Sequence, residues 1–130
     1  MKIKLILSLL LFLVPSVTLS CSAPQIGAKF DKLIKIERVT GNKFKAIIPK
    51  EAGNLNYGAD IKVGYYPSNN EYRSGEYWKD IKIKEVGENY ETLFDLKKIE
   101  GYTPFLNVFW FPEKCCLCGA YGKSEDIILK

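Results

Sequence analysis

The chain of 130 residues contains no histidine. That absence excludes Ser-His-Asp and Cys-His nucleophilic sites, histidine-ligated zinc and a histidine general base. An excess of one charge is also missing. Nineteen Lys and Arg stand against fifteen Asp and Glu, for a formal net charge of +4. Such a small, interspersed surplus argues against nucleic acid as a partner. No segment keeps a 3.6-residue apolar repeat over three turns, so long amphipathic helices are not expected. There is no Asn-x-Ser/Thr sequon, no internal repeat and no low-complexity tract.

What is present suits one globular domain. Hydrophobic residues make up 47% and charged residues 26%, an ordinary folded composition. Aromatics reach 13%, with 8 Tyr and 7 Phe, enough to build a core at this length.

The first twenty residues read as an address. Lys2 and Lys4 are the only charges before Lys29, and Leu5 to Val14 is apolar except for Ser8. Ten helical residues reach about 15 Å, half of a hydrocarbon core of about 30 Å. A basic start followed by a short apolar run is a signal peptide rather than a membrane span. Residues 1–20 are therefore expected to be cleaved. Without them, 17 basic residues face 15 acidic ones, and electrostatic docking to anionic lipid loses its support.

Val17-Thr18-Leu19-Ser20-Cys21 resembles a bacterial lipobox. In that family a small residue precedes a cysteine that is acylated on its thiol and becomes the new N-terminus. The resemblance implies lipidation at Cys21 and a membrane partner reached through the lipid. With Ser rather than Asp at position 22, it implies sorting to the outer membrane of a Gram-negative envelope. Ordinary cleavage after Ser20 or Ala23, giving a periplasmic or secreted protein, stays open.

Residues 21–31 read as a short tether, because Ser22, Pro24, Gln25 and Gly27 are poor element formers. Residues 32–130 alternate in the manner of strands. Strands are expected over 33–39, 43–48, 60–66, 76–86, 90–96, 103–111 and 126–130, with turns at Gly41-Asn42 and Gly87-Glu88. The expected fold is all-β, a single antiparallel sandwich of about seven strands. Phe94-x-Leu96-x-x-Ile99-x-Gly101-Tyr102-x-Pro104-x-Leu106-x-Val108 resembles the corner before a central strand in immunoglobulin-like and fibronectin-type-III-like domains. That likeness implies that Ile99 and Tyr102 plug one end of the sandwich. A small, partly open barrel is the alternative.

Three constellations bear on function. Cys115, Cys116 and Cys118 form a thiol cluster near the last strand. In an oxidising compartment it suits a disulfide staple, either internal or closed onto an unacylated Cys21. A thiol-based metal or redox role is the alternative, although no helix pattern follows to lower a thiol pKa and no His can complete a zinc site. The second constellation is the stretch from Tyr57 to Trp78, which interleaves Tyr with Asn, Ser, Gly and Arg as recognition loops do. Tyr72 and Arg73, with Tyr66 and Tyr77, are the candidate binding residues for a protein partner. The third is Phe109-Trp110-Phe111, apolar on both faces, as in a covered central strand or a patch awaiting a partner.

The sequence thus describes a small envelope lipoprotein acting as a binding or structural module, not a catalyst, and needing no cofactor. A soluble secreted inhibitor or immunity-type protein is the runner-up.

Overall fold

The computed structural model describes residues 23–52, 58–70, 72, 74–112 and 118–130. Alternating apolar residues set the strands. In β2 (Lys43–Pro49), Phe44, Ala46 and Ile48 point inward, and Lys43, Lys45 and Ile47 lie on the opposite face. In β3 (Gly58–Pro67) the inward set is Ile61, Val63 and Tyr65, and in β7 (Tyr102–Phe111) it is Leu106, Val108 and Trp110. The remaining strands are β1 (Lys35–Thr40), β4 (Tyr77–Ile81), β5 (Lys84–Val86), β6 (Asn89–Asp95) and β8 (Ala120–Lys123). A short helix, α1 (Ala28–Asp31), precedes them.

The eight strands form two four-stranded antiparallel sheets, in the orders β1-β2-β6-β5 and β4-β3-β7-β8. Their apolar faces share one core, in which Trp110, Ile48 and Ile61 are among the largest fully buried side chains. The all-β sandwich expected from the sequence is the observed fold. Two hairpin turns need a left-handed residue and have glycine there: Gly41 (φ 53°) between β1 and β2, and Gly87 (φ 58°) between β5 and β6.

Three details differ from the sequence reading. The strand expected over 76–86 is two strands in different sheets, β4 beside β3 and β5 beside β6. The chain changes sheet at Lys82-Ile83, where the Thr92 hydroxyl donates to the Lys82 carbonyl at 2.7 Å. The last strand is β8, not 126–130. The end of the chain still packs on β7: Ile127 is buried and its N–H donates to the Pro104 carbonyl at 2.9 Å.

The third difference concerns the segment read as a tether. Gln25 forms a parallel bridge with Ala120, its N–H donating to the Gly119 carbonyl and its carbonyl accepting from Tyr121 N–H, both at 2.8 Å. Phe30 is 2% exposed and meets Trp110 with ring centroids 6.1 Å apart. From Gln25 onward, therefore, the chain belongs to the domain. The signal peptide expected over residues 1–20 and the lipidation expected at Cys21 lie outside the described residues. Among those that are described, no helix is long and apolar enough to cross a membrane.

The sandwich has two distinct ends. At one lie the start of β8, the end of β7 and Gln25; at the other lie the β1–β2 turn and the loop from β3 to β4. Ten-residue strands β3 and β7 run between them, about 33 Å at 3.3 Å per residue.

Candidate binding surfaces

The loop joining β3 to β4 stands at the end away from Gln25. Its base is tied down: Ser68 N–H donates to the Gly101 carbonyl at 2.8 Å, and Glu76 N–H to the Tyr65 carbonyl at 2.7 Å. The Ser68 and Thr103 hydroxyls lie 2.8 Å apart. Further out, the Asn70 side-chain oxygen accepts from Tyr72 N–H at 3.0 Å, a local turn that carries the tyrosine outward. Tyr72 is 79% exposed and Tyr77 is 51% exposed.

Of the residues singled out in the sequence, Tyr72 and Tyr77 are thus available at this surface. Tyr66 is not. Its ring is buried on the outer face of its sheet, edge-on to Phe105 at 5.8 Å, and its hydroxyl donates to Asp126 at 2.6 Å. Nothing in the alternation of β3 marked that partner, which lies sixty residues away. Arg73, Cys21, Cys115 and Cys116 lie outside the described residues. Cys118 is half-buried at the head of β8 and is not a free thiol.

Sequence reasoning missed Tyr102 as a member of the loop surface, and with it the partner of Glu76. The Tyr102 hydroxyl donates to the Glu76 carboxylate at 3.1 Å, and its ring packs edge-on against Tyr77 at 5.1 Å. Its pKa is pushed up to about 12, first by hydrogen bonding with Tyr77 and then by the Glu76 carboxylate. Because the folded value exceeds the ordinary 10.0, this stabilisation is fully present below pH 10.0 and fades as the pH climbs toward 12. Spectroscopic titration of the phenolates is expected to show one tyrosine ionising near pH 12. In Tyr77→Phe it should move back toward 10.0, and an unchanged titration would mean that the cluster does not hold the proton.

Two grooves lie elsewhere on the described residues. One, of about 720 Å³, runs between β1 and the C-terminal segment over Ile36, Phe44, Ile127 and Ile128. Arg38 bridges it, lying over the Phe44 ring at 4.8 Å and donating to the Gly41 and Ile128 carbonyls. Four acidic and four basic side chains line it, so it favours neither sign of ligand charge. The other, of about 330 Å³, lies on the outer face of the β4-β3-β7-β8 sheet, with Asp60, Lys62 and Asn107 between Trp78 and the pair Phe109 and Tyr121. Lys62 sits 3.8 Å from Asp60 and 3.7 Å from Asp80, which fixes its charge among carboxylates.

The chain matches no protein-family model and no curated protein. Function therefore rests on the residues themselves.

Proposed function

We propose that this protein is a lipid-anchored binding module of the bacterial cell envelope, held through Cys21 in the outer membrane and presenting Tyr72 to a protein partner. The observation that carries the reading is the opposed placement of the two ends. The chain enters at Gln25 beside β8, and the exposed Tyr72 and Tyr77 lie about 33 Å away by strand length. An anchor at the first end holds the loop clear of the bilayer. Tyrosines on a rigid scaffold give large contact area at low entropic cost. The sheet orders β1-β2-β6-β5 and β4-β3-β7-β8 support the immunoglobulin-like reading, an architecture that serves binding by its end loops. A binding role also suits a chain with no histidine to act as a general base at neutral pH.

Within this reading the cysteines of the 115–118 segment form a disulfide that staples the head of β8, and one thiol is left over. That Cys118 is not a free thiol supports a staple over a three-thiolate metal site. A second reading is favoured by the Gln25–Ala120 bridge. Gln25 follows Cys21 by four residues and Ala120 follows Cys118 by two, so the bridge ties together chain positions close in sequence to both. A Cys21 disulfide there would close a loop of about 95 residues, worth on the order of 4–5 kcal/mol in the chain-entropy model. A thioether sulfur cannot enter that bond, so the two readings exclude each other. The intact mass of the mature protein separates them: acyl chains on Cys21 for the anchored module, two disulfides and no acyl chains for the soluble one.

The loop is tested by the double variant Tyr72→Ala, Arg73→Ala. Stability is expected to stay within about 0.5 kcal/mol of wild type, as for exposed positions. Cross-linking to an envelope partner is expected to be lost. Lost stability with cross-linking intact would place the binding surface elsewhere.

A further inference from the structure

Three aromatic rings cluster at the end where the chain enters. Phe109 meets Phe111 edge-on at 4.9 Å and Tyr121 at 4.5 Å, all on the outer face of the β4-β3-β7-β8 sheet. Glycines make the room. A Cβ at Gly119 would come within 2.4 Å of the Phe109 ring, and one at Gly58 would touch Phe111 at 3.6 Å. The cluster is not covered: Phe111 and Tyr121 are each 37% exposed. Ile26, next to the Gln25 bridge, is 76% exposed. Asp60, the cross-strand neighbour of Phe109, borders the cluster on one side.

We infer that Phe109, Phe111 and Tyr121, with Ile26 beside them, form a membrane-facing patch that rests on the phospholipid surface carrying the anchor. The inference builds on acylation at Cys21. The length of chain before the domain is what selects the occupant. Cys21 and Gln25 are four residues apart, and four extended residues span at most about 14 Å. Gln25 is fixed to β8, so an acylated Cys21 cannot let this end of the sandwich drift further than that from the bilayer. Over so short a link the effective concentration of the patch at the surface is in the millimolar range, and weak contacts suffice to seat it. The chemistry matches. Aromatic rings concentrate at membrane–water interfaces, and the Tyr121 hydroxyl gives its ring the polar edge that headgroups accept. The Tyr72 loop lies at the other end of the strands, remote from this patch.

The test places the photoreactive analogue benzoylphenylalanine at position 111, 121 or 72 of the full-length acylated protein. The protein is reconstituted in vesicles of phosphatidylethanolamine and phosphatidylglycerol, irradiated and weighed intact. Phospholipid adducts are expected at 111 and 121 and several-fold less at 72. Acylated protein with no adduct at 111 or 121, or with as much at 72, overturns the patch. Protein that carries no acyl chain before irradiation overturns the anchor instead, so the two failures are told apart by the starting mass. Thermal melting confirms that each labelled protein is folded, and position 121 carries the test should the change at 111 disturb the Phe109 contact.

Discussion

Trp110→Ala is expected to destabilise the domain by about 3–5 kcal/mol, the range for deleting a large aromatic from a packed core. Trp110 has no exposed surface. Its ring packs on Phe30, and a Cβ at Gly122 would come within 3.0 Å of it, so the glycine is what admits the indole. Its indole N–H donates to the Pro49 carbonyl at 2.9 Å, across from one sheet to the other. Truncation therefore leaves a cavity where α1, β7 and β8 meet and a carbonyl without its donor. Domains of this size hold about 5–15 kcal/mol in total, so the loss is a large share of it. Leu106→Ala and Val108→Ala, on the same inward face of β7, are expected to cost about 2–4 kcal/mol each. Denaturant unfolding measures all three. Losses below about 0.5 kcal/mol, the surface range, would mean that the inward face of β7 is misassigned.

The same strand shows what alternation reveals and what it hides. Leu106, Val108 and Trp110 fall on one face by period two, and that face is the core. The opposite face is apolar too, and the sequence could not say whether it is covered. The structure divides it. Phe105 is fully buried under Trp78 and Tyr66, whereas Phe111 stays partly open. What decides is the neighbouring strand. Trp78 lies opposite Gly64, and a Cβ there would come within 2.7 Å of Phe105. Such cross-strand fits depend on register, which one strand's pattern does not contain. β8 was hidden for a related reason. Gly119 and Gly122 carry no side chain to mark a strand face, yet both are needed for close packing, the latter because a Cβ would meet the Phe30 carbonyl at 3.0 Å. The β4–β5 break was hidden because alternation continues through Lys82-Ile83 while the chain changes sheet. The loop was legible from its composition. The Glu76–Tyr102 bond was not, since it joins residues twenty-six apart in sequence.

Cys21→Ala is expected to remove the protein from the outer-membrane fraction altogether. Each acyl methylene buried in a bilayer contributes about 0.8 kcal/mol, and one chain alone binds only marginally, so stable anchoring depends on the several chains that a lipobox cysteine receives. Alanine has no thiol to accept them. The aromatic patch does not replace them, because its two most open rings, Phe111 and Tyr121, are each only 37% exposed and lose the short link that holds them to the surface. Two products satisfy the expectation, and mass tells them apart: a soluble domain cut at another site, or a precursor that keeps residues 1–20 and stays in the inner membrane through its apolar run. The change at Cys21 also tests the soluble reading through stability. In an anchored protein the non-acylated domain should unfold with wild-type free energy, because an acylated thiol makes no covalent bond within the domain for the substitution to remove. In a protein stapled through Cys21, the same substitution should cost on the order of 4–5 kcal/mol. Outer-membrane recovery equal to wild type would end the anchor reading, since something other than Cys21 would then be holding the protein there.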